Sequence, residues 1–262
     1  MRGRCGWFGV GAHRARGRIV AAGASLRNGP RALGPLRGTL ALAFATMLGG
    51  CQGGASITVD ATVPSPLVDP IRASMGVYFD DSLLNYVHEE ELEDYGAYRI
   101  DIGASQGPVF ARVFNAMFED LVPVEPADQE QSDEGATTDA DAPAPIRFVG
   151  TDGSSPVVDG IIAPSIVEVQ FAIPDQTGGD FYEVWISYKL ALLDGGGNNF
   201  GEFPLIGYGK ANERNFGQLG QQTPALHEAT TWALRDAAAE LSFRFRDQVE
   251  VQKWLSAIGV EP

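Results

Sequence analysis

Gly103-Ala104-Ser105-Gln106-Gly107 has the spacing Gly-x-Ser-x-Gly. In a hydrolase elbow this spacing exposes a serine hydroxyl at a sharp strand-to-helix turn, where a base can activate it for acyl transfer. The segment lies between an alternating stretch and an amphipathic one, as an elbow requires. Four features argue against it. Arg99 and Asp101 leave the preceding strand half exposed, whereas an elbow strand is buried on both faces. The later strands read as hairpins, not as the βαβ units of a hydrolase sheet. His227, the one downstream histidine, falls in the first turns of a predicted helix. Glycine and serine ahead of Pro108 are also ordinary helix-start residues. A serine hydrolase using Ser105 therefore stands beside a non-enzymatic reading with no catalytic residue.

Metal and phosphate chemistry find less support. Beyond the first 50 residues the histidines are His88 and His227, and His227-Glu228 lacks the second histidine of the zinc-helix pattern. Asp139-Ala140-Asp141 lacks the glycine and terminal glutamate of a calcium loop. Glu89, Glu90, Glu91, Glu93 and Asp94 read as a solvated acidic loop. Gly207-Tyr208-Gly209-Lys210 has the wrong spacing for a phosphate loop, with no Ser or Thr after the lysine, and the Ala211–Phe216 stretch reads as a solvated loop. No metal and no cofactor is expected.

The chain has two thiols, Cys5 and Cys51. Thr39 to Leu48 is an apolar run of signal-peptide length, too short to cross a bilayer as a helix. It leads into Leu48-Gly49-Gly50-Cys51, which resembles the lipobox of bacterial lipoproteins. That resemblance implies cleavage before Cys51 and acylation of its thiol, with two or more chains giving stable attachment. The Arg-rich leader is long for a signal, and it contains no twin-Arg pair, which favours the general secretory route. Gln52 instead of Asp after the cysteine implies sorting to the outer membrane. Cys51 is thus the expected lipidation site and the lipid bilayer the expected partner.

Charge is divided at the same point. The eight basic residues before Cys51 are all Arg, and no Asp or Glu precedes Asp60. From Cys51 onward 11 Lys and Arg face 34 Asp and Glu, a formal charge of −23. Such a body repels phosphate backbones and anionic lipid surfaces, so nucleic acid is not an expected partner. Without Cys5 the exported part has no disulfide, and its stability must come from a core that about 200 residues can supply.

The expected organisation is a signal over 1–50, a flexible tether over 51–70 and one α+β domain over 71–262. Within the domain, 126–145 is expected to be a disordered acidic insertion. Strands are predicted at Met75–Phe79, Tyr98–Ile102, Ile166–Ile173, Phe181–Leu193 and Phe203–Lys210. In the third, Val167, Val169, Phe171 and Ile173 share the apolar face. In the fourth, Tyr182, Val184, Ile186, Tyr188, Leu190 and Leu192 form an apolar row opposite Glu183, Ser187 and Lys189. Asp194–Asn199 is a hairpin loop, and Pro204 marks an edge or entry position. Helices are predicted from Pro108 to about Glu119 and from Thr223 through Phe245, with a short one over Val251–Ile258. Ala237 and Ala238 would let the long helix approach a sheet closely. The pattern implies a two-layer sandwich: an antiparallel-rich sheet of four to five strands with two helices on one face.

The segments VYFDDSLLNYVHEE, YRIDIG, VFNAMFEDL, PSIVEVQFAIP, FYEVWISYKLALLD, GYGKAN and ALHEATTWALRDAA resemble a group of uncharacterised proteobacterial lipoproteins over about Arg72 to Leu255. The element order is more distantly similar to auxiliary lipoproteins of ABC-type exporters, to lipopolysaccharide-assembly lipoproteins, and to the curli-secretion and penicillin-binding-protein-activator group. These families imply a small α/β domain that assists a larger envelope machine without doing chemistry. Only the lipobox cysteine carries over by position, onto Cys51. The expectation is a non-enzymatic accessory lipoprotein on the periplasmic face of the outer membrane with an envelope protein partner. A passive structural anchor is the remaining alternative.

Overall fold

The computed structural model describes residues 53–127, 146–216 and 222–260. The signal segment, Cys51, Asp139, Asp141 and most of the acidic insertion lie outside the described residues. In chain order the elements are β1 (Gly54–Thr58), β2 (Ile71–Val77), α1 (Asp81–Leu84), β3 (Val87–Leu92), β4 (Gly96–Asp101), α2 (Gly103–Met117), β5 (Phe118–Pro126) and β6 (Phe148–Gly150). Then come β7 (Gly160–Ala172), α3 (Pro174–Thr177), β8 (Phe181–Asp194), β9 (Asn199–Asn212), α4 (Gln222–Arg244) and α5 (Val249–Ala257).

The strands form two sheets, not the single sheet of four to five strands that was expected. One has six strands in the order β6-β5-β2-β7-β8-β9, and the other three in the order β1-β4-β3. The larger sheet is mixed: β2 runs parallel to β5 and β7, while β5–β6, β7–β8 and β8–β9 are antiparallel.

β8 is the central support. Tyr182, Val184, Ile186, Tyr188, Leu190 and Leu192 are all buried, while Lys189 is exposed on the other face. Period-two alternation puts every second side chain on the same face, so the row becomes one continuous wall of core. β9 repeats the pattern with Phe203, Leu205, Gly207, Gly209 and Ala211 inward. Between them Asp194 closes the hairpin: its carboxylate accepts from the N–H groups of Gly196 (2.8 Å) and Asn198 (2.9 Å) and from Asn198 Nδ2 (2.9 Å). Gly197 takes the left-handed turn position at φ +83°.

α4 lies on this wall through alanines four residues apart. Ala225, Ala229, Ala233 and Ala237 are buried, and one helix face recurs at that spacing. Its partners on β9 are glycines, so helix and sheet come to backbone contact. α2 meets the same wall through Phe110, whose ring stands edge-on to Tyr188 at 5.2 Å.

In β7 the bulge between Ile166 and Glu168 inserts Val167 opposite no partner. The inward set therefore changes parity there, from Ile162, Pro164 and Ile166 to Val169. Val167, expected inward, is 61% exposed.

Four other segments differ from the sequence reading. The 51–70 tether is structured from Gly54: β1 pairs in parallel with β4, and Val59, Ala61 and Val63 are buried. The acidic loop contains α1, capped by Asp80 accepting from the Leu83 N–H (2.8 Å), and β3, which pairs with β4. α2 begins at Gly103, one and a half turns before Pro108, and stops at Met117 because Phe118 is already extended. β5 follows without a loop, and Pro126, placed in the insertion, ends that strand.

Candidate functional site

Ser105 lies inside the first turn of α2, 3% exposed. Its Oγ donates to the Val59 carbonyl (2.5 Å) and accepts from the Ala61 N–H (2.9 Å). An elbow serine must face a substrate; this one faces a neighbouring stretch of backbone. The two motif glycines have packing roles as well. A Cβ on Gly103 would stand 2.5 Å from the Leu84 carbonyl oxygen, and one on Gly107 would stand 3.0 Å from Leu84 Cδ2. The Gly-x-Ser-x-Gly spacing thus serves the seat of α2 against α1 and a clamp on the strap.

The strap is the extended segment from Val59 to Asp69, and three more side chains hold it. Arg112 donates to the Val63 carbonyl (3.0 Å), Arg235 Nε to the Thr62 carbonyl (3.1 Å) and Arg246 to the Asp69 carbonyl (3.0 Å). A strap cannot pair with a sheet along its whole length, so its backbone groups are satisfied by side chains instead. The alternation of Val59, Ala61 and Val63 was the sequence signal for it.

Next to Ser105, Gln106 is completely buried and accepts from Tyr188 Oη (2.9 Å). Its Nε2 has no partner among the described residues. Burial pushes the Tyr188 phenol far above its ordinary value, with the Gln106 hydrogen bond opposing, so the hydroxyl is a permanent donor. The pair is a polar defect in an apolar wall. Gln106→Leu alone strands the tyrosine hydroxyl and is expected to destabilise the protein by about 1–3 kcal/mol. Gln106→Leu with Tyr188→Phe removes both polar groups and is expected to fall within about 1 kcal/mol of the parent. Urea unfolding of the two single variants and the double variant measures this coupling.

The remaining candidates are dispersed. His88 Nε2 lies 3.2 Å from Glu90 Oε2, and its ring stands edge-on to Phe171. His227 is on α4, a separate element. Lys210 donates to Glu183 (2.7 Å) and sits 4.2 Å above the Phe181 ring. Among the described residues no three His, Cys, Asp or Glu side chains converge to hold a metal ion. No described helix is long and apolar enough to cross a membrane.

Two concave surfaces stand out among the described residues. One, of about 590 Å³, is an open trough on the three-stranded sheet lined by Ser56, Glu89, Glu90, Glu91, Ala97 and Arg99 among others. Arg99 pairs there with Glu89 and with Asp101 (3.4 Å), so its charge is already matched. The other, of about 190 Å³, lies along the free edge of β9, between Phe203–Ile206 and the α4 residues Glu240, Leu241 and Arg244. Composition and motif spacing gave no warning of this second groove, because it depends on how α4 crosses β9.

No protein-family profile matches the chain, and no curated protein matches it. Among solved structures, it is similar to a DUF330 protein from Xanthomonas campestris at 12% identity and a TM-score of 0.42, over 77% of this chain and 98% of that one. It is also similar to a candidate lipoprotein from Caulobacter crescentus at 16% identity and a TM-score of 0.27, over 37% of this chain and 67% of that one. Both likenesses are too slight to carry an argument about fold or function.

Proposed function

We propose that this chain is a bacterial lipoprotein, anchored through an acylated Cys51, whose folded domain binds another envelope protein and performs no chemistry itself. The observation that carries the reading is the junction between motif and fold. Leu48-Gly49-Gly50-Cys51 ends an apolar run, and the first strand opens at Gly54. Cleavage before Cys51 would therefore free the whole domain without cutting any element of it. The −23 charge of the part that follows is suited to an aqueous compartment and gives no attraction to anionic lipid. A covalent anchor supplies what charge does not. Gln52 next to the cysteine favours the outer membrane, periplasmic face.

The pairing of β1 with β4 changes what such an anchor does. Two residues, Gln52 and Gly53, separate the thiol-bearing residue from β1. The three steps from Cys51 to Gly54 reach at most about 11 Å when fully extended, not the few nanometres of a flexible tether. The domain would stand at the bilayer surface, with the Tyr95–Gly96 turn beside Gly53 on the membrane side.

The test is metabolic labelling. Labelled palmitate is expected in the wild-type chain, with intact mass beginning at an acylated Cys51. Cys51→Ala is expected to lose the label entirely and to leave the uncleaved precursor. A native protein that retains residues ahead of Cys51, or carries a bare thiol, would overturn the anchor. Crosslinking in intact cells followed by purification should then recover one specific envelope complex.

A further inference from the structure

We propose that the free edge of β9 is a binding groove for an extended, basic segment of a partner polypeptide, added to the six-stranded sheet as a seventh strand. This rests on the reading of the chain as a binding protein and names its binding surface.

β9 is the end strand of its sheet. Which of its backbone groups face outward follows from one bond. The Tyr208 N–H donates to Asp236 on α4 (2.9 Å), so it points away from β8. The register with β8 is regular from Gly201 to Asn212, and backbone direction alternates along a strand. Glu202, Pro204 and Ile206 therefore also point outward. Among the described residues nothing pairs with the N–H and C=O of Glu202 and Ile206 or with the C=O of Pro204.

This open stretch has defined ends. Asp236 occupies the edge at Tyr208. At the other end Glu250 of α5 closes on Gly201, where a Cβ would lie 2.4 Å from Glu250 Cγ. Between these stops is a five-residue window. A natural edge strand is usually blunted by proline, charge or a covering element. Here Asp236 and Glu250 cover the flanks, and Pro204 removes a single donor from the window while leaving its acceptor.

The window is also walled. α4 and the turn after it place Leu241, Phe245 and Gln248 beside the edge, enclosing the 190 Å³ groove. An added strand would send alternate side chains into that space and the others over Pro204 and the 55%-exposed Ile206. Around the groove Glu240 is matched by Arg244 (3.1 Å) and Glu202 by Lys189 (3.1 Å), whereas among the described residues no cation pairs with Asp236 or Glu250. The excess is negative, as is the domain as a whole, so a segment bearing Lys or Arg is the complementary occupant. A second copy of this chain fits less well. Two-fold pairing about the window sets Pro204 against Pro204 and brings two bodies of like charge together.

The probe is an acetylated, amidated octapeptide alternating Val and Lys, titrated into the isotopically labelled full-length chain in detergent. Saturable amide shifts are expected at Glu202 and Ile206, with smaller ones at Glu240 and Arg244. Methylation of alternate peptide nitrogens is expected to weaken binding at least about tenfold, as is exchange of Lys for Glu in the peptide. Ile206→Pro is expected to do the same. Its N–H has no role in the fold, and Pro204 shows that a proline is accepted at this parity. Methylated peptide alters the ligand alone, so the test stands even if Ile206→Pro folds poorly. Absence of saturable binding, shifts confined to another surface, or indifference to methylation would each overturn the groove. Palmitate incorporation at Cys51 is read separately, so loss of the groove and loss of the lipoprotein reading give different results.

Discussion

Gly209→Ala is expected to destabilise the protein by about 4 kcal/mol, at the upper end of what a single methyl group does in a packed core. A Cβ at this position would lie 1.9 Å from the Ala229 carbonyl oxygen and 2.4 Å from the Ala233 nitrogen. Both atoms are helix backbone, so no side-chain rotation relieves the clash and α4 must lift from the sheet. Gly207 has the same problem, with the Ala233 carbonyl oxygen at 2.1 Å. Lifting α4 also disturbs Asp236 at Tyr208 and the contacts of Ala225, Ala229 and Ala233, so the loss extends along the helix. For a domain of about 200 residues, each kcal/mol lowers the unfolding midpoint by roughly 2–4 °C, and calorimetry should show a fall of about 8–16 °C. Gly179→Ala is the control: its Cβ meets nothing closer than Phe181 Cδ2 at 3.5 Å, and its midpoint should stay within about 2 °C of the parent. Equal midpoints for the two variants would mean that α4 does not touch β9 as described.

The same two glycines mark how far the sequence could be read. Gly207-Tyr208-Gly209-Lys210 was legible as something other than a phosphate loop, and the alanines of α4 as a close-packing face. Neither fact disclosed that one fits the other, because their contact joins elements that are separated in the chain and meet only after folding. The alternation in β8 was legible residue by residue, since period two and a one-sided core leave a single solution. β7 shows the limit of that rule. The alternation placed Val167 inward, but a bulge inserts one residue and reverses the faces, and a bulge leaves no mark in hydrophobicity. β5 was hidden for another reason. Phe118 continues the apolar stripe of α2, and Pro123 and Pro126 resemble loop residues, although both are tolerated where β5 meets short β6 at the sheet margin. The strap was misread because Pro64, Pro66 and Pro70 suggested a linker. Those prolines keep the segment extended, and an extended chain can still be clamped.

That clamp leads to the second large effect. Ser105→Ala removes one oxygen that both donates to Val59 and accepts from Ala61, in a place without water access. The Ala61 N–H and Val59 carbonyl are left buried without partners, and an orphaned buried group costs about 1–3 kcal/mol. A total of about 3 kcal/mol is expected, and the damage should be local before it is global. β1 and the strap should exchange their amide hydrogens faster than β8, and a protease should cut first between Val59 and Pro70. Ser105→Thr keeps the hydroxyl but adds a methyl in a fully packed site, so it should recover only part of the loss. A catalytic serine would behave in the opposite way. Its alanine variant would keep or raise the unfolding midpoint while abolishing reaction with a fluorophosphonate probe. Two measurements on one variant therefore separate the roles: a lowered midpoint with early strap opening assigns Ser105 to the fold, and an unchanged midpoint with lost labelling assigns it to chemistry. The consequence reaches the membrane. If β1 comes away from β4 together with the strap, the roughly 11 Å leash between Cys51 and β1 becomes a flexible chain reaching to Pro70, and the domain loses its fixed height above the bilayer while remaining anchored. An acylated Ser105→Ala protein in vesicles should therefore show weaker energy transfer from its tryptophans, Trp185, Trp232 and Trp254, to a headgroup dye than the acylated wild type.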